Sequence, residues 1–171
     1  MVKKTSIATI SIDRLSSKGF GVGALQKTPH SHPSKAVIPC SVPGDQLIVE
    51  IGPKRKGSYL GKLLSISQAS SDRVGAVCKH ADVCGGCSLH YLKYEKQLLY
   101  KQEKIRELFN SLFPGEIAPI VAAPLYWNYR NKMEFSFSQN KSGERFLGLI
   151  RVGSRGKVEN LTECQIGRAH V

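Results

Sequence analysis

Isoleucine, valine and leucine alternate with small polar residues through the first 67 positions, the period of two that belongs to half-buried strands. Residues 5–13 carry Ile7, Ile10 and Ile12 among serine and threonine, and the run Ser16-Ser17-Lys18-Gly19-Phe20-Gly21-Val22-Gly23 reads as a glycine-punctuated turn leading into a second strand. Further strands are expected over 36–39, 46–51 and 59–67. The turn Val42-Pro43-Gly44-Asp45 and a basic loop at 52–57 divide them, and 27–35 reads as an inserted polar loop. Short strands crowded into so little chain favour closure, which removes exposed sheet edges. An OB-like barrel over 1–67 is therefore expected.

The periodicity changes after a polar linker at 68–77. Tyr91, Leu98, Ile105 and Leu112 recur every seven residues, with Leu99, Leu108 and Phe109 broadening the stripe. This predicts one long helix over 88–113, buried along that stripe and stopped by Pro114-Gly115. Beyond it, 127–138 and 146–152 read as two strands joined by a polar turn at 139–144, the start of an α+β unit over 114–164. The predicted fold class is thus mixed β and α+β.

Composition fits a globular chain, with 41% hydrophobic and 22% charged residues in 171. No run approaches the roughly 18 to 20 apolar residues of a membrane span, so a soluble, cytoplasmic protein is expected; a monomer is a separate expectation. Charge changes the picture more. The net charge of +12 is shared between residues 1–77, with 11 basic and 4 acidic side chains, and residues 78–171, with 14 and 9. A polyanion is the favoured partner, because neutralising phosphates releases counterions. Lys54, Arg55 and Lys56 are candidate phosphate contacts, and Lys18 beside Phe20 pairs a cation with an aromatic suited to an unpaired base. A core role for Phe20 is the competing reading. The glycines at 19, 21 and 23 lack the third spacing and the following helix of a dinucleotide loop. His30 and His32 are read as solvated loop residues rather than metal ligands.

The densest chemistry lies in Cys78-Lys79-His80-Ala81-Asp82-Val83-Cys84-Gly85-Gly86-Cys87, where paired glycines let the backbone turn tightly enough to aim neighbouring thiols at one centre. Cytosolic chains seldom keep structural disulfides, so the trio reads as metal ligation or redox chemistry. Cys164 is a candidate fourth ligand. Four thiolates suit zinc or an iron-sulfur cluster. One close trio completed by a remote cysteine favours iron-sulfur, since zinc usually takes two knuckles. His80 and His90 are read as surface or packing residues, and Cys40 as a small buried hydrophobe without the base a nucleophile needs.

The run C-x5-C-G-G-C-S-L-H-Y-L-x-Y-E-K-Q from Cys78, the later Y-R-N-K-M-E-F-S-F from Tyr129 and the distant Cys164 resemble the uracil-5 RNA methyltransferases that carry a 4Fe-4S cluster. The stretch with K-G-F-G-V-G and V-P-G-D-Q-L-I-V-E-I resembles the TRAM domain that precedes the cluster in that family. The resemblance implies that Cys78, Cys84, Cys87 and Cys164 hold a structural 4Fe-4S cluster. It also implies that the partner is RNA, most simply 23S ribosomal RNA, and that Arg130 and Lys132 hold phosphates beside Tyr129 and Asn131. Phe135 and Phe137 then alternate with Glu134 and Ser136 on opposite faces of a strand.

Family members continue through a domain that binds S-adenosylmethionine and supplies a nucleophilic cysteine and a carboxylate base. No residue here matches those functions, so no catalytic or S-adenosylmethionine-binding residue is assigned, and the chain by itself is expected to be inactive. Residues 165–171 resemble one reading frame of a sequencing-adapter oligonucleotide, which implies that the natural protein continues past Cys164. The competing function is a stand-alone RNA-binding accessory protein with a structural zinc site. An electron-transfer cluster protein ranks third. With the natural ending in doubt, a frayed Cys164 that leaves only three thiolates is also an expectation.

Overall fold

In the computed structural model, which describes residues 6–26, 32–113 and 115–167, the alternating segment forms five strands. They are β1 (Ser6–Leu15), β2 (Gly21–Leu25), β3 (Ser34–Ile38), β4 (Gln46–Arg55) and β5 (Ser58–Gln68), closed as a barrel in the order β1-β2-β3-β5-β4. The parallel pairing of β3 with β5, Val37 opposite Leu60, completes the closure. Ile10, Ile12, Leu25, Ala36, Ile38, Leu47, Val49 and Ile51 fill the interior. Ile7 is out of phase with Ile10 and Ile12 and stands 69% exposed. Irregular register at several points along β1, β4 and β5 bends these strands enough to wrap. Gly23 permits the tight crossing of β2 over β1, because a Cβ there would sit 2.2 Å from the carbonyl oxygen of Ser11.

Two boundaries differ from the sequence expectation. The basic segment at 52–57 is mostly strand: β4 runs to Arg55, and only Lys56 and Gly57, both at positive φ, make the hairpin turn. The inserted loop ends sooner, since Ser34 and Lys35 pair with Leu25 and Ala24 in β3. His30 lies outside the described residues, and His32 is exposed.

A second core forms where the barrel meets the cysteine segment. Val42, Ala81, Tyr91 and Leu92 are buried together, with Leu15, Cys40 and Cys78 packed against them. Asp45 organises this junction. Its fully buried carboxylate accepts from Val42 N at 2.8 Å, Ser70 N at 2.9 Å and Arg73 Nη2 at 2.7 Å, while Arg73 Nη2 also donates to the Cys40 carbonyl at 2.8 Å. The Arg73 guanidinium lies 4.9 Å from the centre of the Tyr91 ring.

The helix is shorter than its periodicity suggested. Helix α1 spans Tyr94–Phe109, about 24 Å at 1.5 Å per residue. Tyr91 and Leu92 are drawn into the second core, the Tyr91 carbonyl accepts from Val74 N at 2.8 Å, and Lys93 takes an extended ψ of 140° that interrupts helical geometry. The stripe is buried only in part: Tyr91 is in the second core and Leu98 is half-buried, but the rest is exposed. Leu99 and Leu108 are each 61% exposed and Leu112 is 77% exposed, whereas the buried helix residue is Gln102, which donates to the Ala118 carbonyl at 3.0 Å. The chain after the helix returns past Gln102 and Tyr94, whose hydroxyl accepts from Ala123 N at 2.7 Å. Pro114, the expected stop, lies outside the described residues.

A small antiparallel sheet follows, ordered β6 (Ser136–Gln139), β7 (Arg145–Ile150) and β8 (Val158–Asn160). Only the last part of the strand expected over 127–138 forms, and β8 had no clear signal in the sequence. Residues 127–135 run irregularly because Asn128 N and Arg130 N bond to the carbonyls of Gln165 and Ile166 at 2.9 and 2.8 Å, not to a neighbouring strand of the sheet. Among the described residues, no helix is long and apolar enough to cross a membrane.

Candidate metal centre

Cys78 opens a series of turns in which Ala81 N bonds to the Cys78 carbonyl at 3.1 Å and Cys84 N to the His80 carbonyl at 2.8 Å. These turns bring the trio against the end of β7. Cys84 pairs with Arg151 as an isolated bridge, Gly85 N donates to Ile150 O at 2.9 Å, and Val152 N donates to Val83 O at 2.8 Å. Only glycine fits at 85, where a Cβ would lie 2.6 Å from the Ile150 carbonyl oxygen.

Cys164 arrives from the other direction, beyond β8, and is not frayed. Thr162 N donates to His80 Nε2 at 3.2 Å, and Lys79 lies 3.8 Å from the Glu163 carboxylate. On the other side of Cys164, Ile166 is buried and Gly167 bridges to Arg130. Residues 168–171, most of the adapter-like ending, lie outside the described residues. The result is that Cys78, Cys84, Cys87 and Cys164 line one small cavity of about 30 Å3, walled also by Ala81, Leu149, Leu161 and Ile166.

The electrostatics agree with this convergence. Burial pushes the Cys87 thiol up to about 11, and the neighbouring Cys84, Cys164 and Cys78 push the same way, with the Arg130 charge pulling down. Cys84 is also raised, first by burial and against a pull from Gly86 N, which donates to its sulfur at 3.4 Å. The two buried ring nitrogens of His90, on the same wall, have no hydrogen-bond partner of good geometry. Four soft sulfurs between apolar walls fit the donor set of a thiolate-ligated inorganic centre. Among the described residues no group of three or more His, Cys, Asp or Glu is arranged to hold a single metal ion. The thiols share a cavity without closing on one point.

Cys40 stands apart from the cavity. It packs on the second core, burial raises its thiol to about 11, and its Sγ lies 3.8 Å from the Ala81 carbonyl, the setting of an inert thiol.

The candidate RNA contacts fall in separate places. Lys18 and Phe20 sit in the β1–β2 turn, Lys18 exposed and Phe20 half-buried. Lys54, Arg55 and Lys56 are exposed at the β4–β5 hairpin. Because β1 and β4 are antiparallel, with Ser6 opposite Ile51 and Ser11 opposite Gln46, these two groups lie at opposite ends of the barrel, roughly 30 Å of strand apart. Arg130 is exposed beside the thiol cavity, and Lys132 shares its charge with Glu134 at 3.0 Å. Phe135 is half-buried while Phe137 is 88% exposed. Sequence reasoning missed Arg73, hidden in the linker, and the cavity-facing Trp127, while His90, read as a packing residue, is on the cavity wall. Asp45 was legible only as a turn residue.

No protein-family profile matches the chain. An uncharacterised RNA methyltransferase of Protochlamydia amoebophila is 40% identical over 130 residues, 74% of this chain and 29% of that protein. One of Caldanaerobacter subterraneus is 30% identical over 95% of this chain and 35% of its own length. The 23S rRNA (uracil(1939)-C(5))-methyltransferase of Vibrio campbellii is 28% identical over 96% of this chain and 37% of its own length. The chain thus spans about a third of the length of the curated relatives it matches. Among solved structures, the tRNA (uracil-54, C5)-methyltransferase of Pyrococcus abyssi, crystallised with S-adenosyl-L-homocysteine, shares the fold over 93% of this chain and 33% of its own, with a TM-score of 0.59 at 24% identity. The relatives place this chain in the RNA methyltransferase family.

Proposed function

We propose that these residues form the RNA-binding and iron-sulfur portion of a class I, S-adenosylmethionine-dependent methyltransferase acting on carbon 5 of a uridine in 23S ribosomal RNA. One observation carries most of the reading: Cys164, from beyond β8, lines the same cavity as Cys78, Cys84 and Cys87. These four thiolates would hold a 4Fe-4S cluster, which when bound supplies a covalent cross-link between two distant chain segments. His80 and Lys79 position Cys164 through Thr162 and Glu163. Arg130 offsets the negative charge of the thiolates.

The barrel takes the TRAM role. Lys54, Arg55 and Lys56 neutralise phosphates at one end, and Lys18 with Phe20 engages the strand at the other. Arg130 and Lys132 add charge near the cavity. The barrel and small sheet hold a splayed single-stranded segment, the form in which RNA offers its base edges. With four cysteines round the cavity and Cys40 buried, no thiol here is offered as the attacking nucleophile. The chain by itself binds RNA and transfers no methyl group. A monomer working in the cytoplasm completes the reading.

Anaerobic purification tests the metal centre directly. Broad visible absorption and about four irons per chain are expected. Stoichiometric zinc without iron would replace this reading with that of a zinc-stabilised RNA-binding accessory protein.

A further inference from the structure

A groove of about 580 Å3 runs between the start of α1, the cysteine turns and residues 123–129. Its rim carries Tyr94, Tyr126 and Tyr129, with Trp127 toward the thiol cavity and Lys93 and Lys101 on the helix side. Tyr94 and Tyr126 stack with centroids 3.9 Å apart and 25° between planes, and the Tyr94 hydroxyl accepts from Ala123 N at 2.7 Å, which fixes the pair. Tyr126 and Tyr129 are nonetheless 51% and 52% exposed. Two large aromatics held half in solvent leave apolar area uncovered at a place where the backbone is pinned. Lys93 and Lys101 with the adjacent Arg130 outnumber Glu95 in the same lining and leave the surroundings net cationic.

We propose that this groove is a stacking site for unpaired bases, with Tyr126 and Tyr129 as the platforms and Lys93 and Lys101 meeting the phosphates of the same nucleotides. The inference rests on the RNA-binding reading above and adds a site none of the basic candidates covers. Fused or single heteroaromatic rings bearing a phosphodiester match this combination of flat apolar faces and cations. Duplex RNA does not, because its bases are already stacked inside the helix. The groove volume lies in the range of small-ligand sites, roomy enough for a nucleotide.

The test measures binding of labelled single-stranded oligouridine to the full chain, purified anaerobically. Tyr126→Ala is expected to weaken binding about tenfold, from a stacking contribution of roughly 1–3 kcal/mol per base, with Tyr129→Ala in the same direction and Tyr126→Phe within about twofold of the parent. An oligomer with abasic positions is expected to bind the parent at least as weakly as the intact oligomer binds Tyr126→Ala. That arm leaves the protein unaltered, so a misfolded variant cannot imitate it. Oligomers carrying 5-iodouridine should cross-link to Tyr126 or Tyr129. If the Ala variants and the abasic oligomer bind as tightly as the unaltered pair, and cross-links fall only on the barrel, the groove proposal fails while RNA binding stands. If the parent binds no RNA, the functional reading itself fails.

Discussion

At the scale of single residues, Arg73 matters most to the junction of barrel and cysteine segment. It is the counter-charge to a carboxylate with no exposure, its own side chain being 11% exposed. Arg73→Met would strand that carboxylate, and a loss of about 3–5 kcal/mol is expected in urea unfolding. Asp45 also sets a pH dependence. Burial alone would raise its carboxyl, but the Arg73 hydrogen bonds and the amides of Ser70 and Val42 outweigh it and hold the group below its usual value of 3.8. A carboxyl depressed in the folded state stabilises above its unfolded pKa, and that contribution is lost as pH falls through the folded value. Stability should therefore decline in acid below about pH 4 through this group, and Asp45→Asn should flatten that part of the profile; an unchanged acid limb would count against the pairing.

At the scale of elements, helix α1 is anchored by polar reach instead of a buried apolar face. Tyr100 donates to the Ser16 carbonyl at 2.6 Å, Lys104 to that of Ser17, and Lys96 lies 3.1 Å from Asp72. Tyr100→Phe is accordingly expected to cost about 1 kcal/mol in thermal or chemical unfolding. Leu99→Gln and Leu108→Gln should stay within about 0.5 kcal/mol, contrary to what a buried stripe would require. The cysteine bend depends on an element at a distance in sequence. Cys164→Ser should lower iron content while leaving the barrel folded, as read by metal analysis beside circular dichroism.

Over the whole molecule, positive charge is spread across surfaces that face different ways. Replacing Lys54, Arg55 and Lys56 with Ala should weaken RNA binding at every sequence and flatten its salt dependence by up to about three phosphates. Because Lys18 lies at the opposite end of the barrel, Lys18→Ala should add to the triple change within roughly 0.5 kcal/mol, measured as affinity against salt. Strong coupling between the two would mean that they grip the same phosphates.

The barrel was legible in the chain because strand alternation and turn chemistry are local signals: Ile10, Ile12, Leu47 and Val49 turn inward at the expected period, and Val42-Pro43-Gly44-Asp45 turns where it should. The cysteine motif was legible for the same reason, since its glycines and spacing lie within one short bend. Long-range competition decided the rest. Periodicity ran the helix back to residue 88, but burial of Tyr91 and Leu92 in a shared core outbid it. Strand propensity covered 127–138, but the amides of Asn128 and Arg130 found carbonyls near Cys164 instead. Whether Cys164 meets the other thiols, whether Asp45 has a counter-charge and whether tyrosines gather at one groove all depend on which distant segments share a surface. That is a property of packing, which only the folded chain expresses.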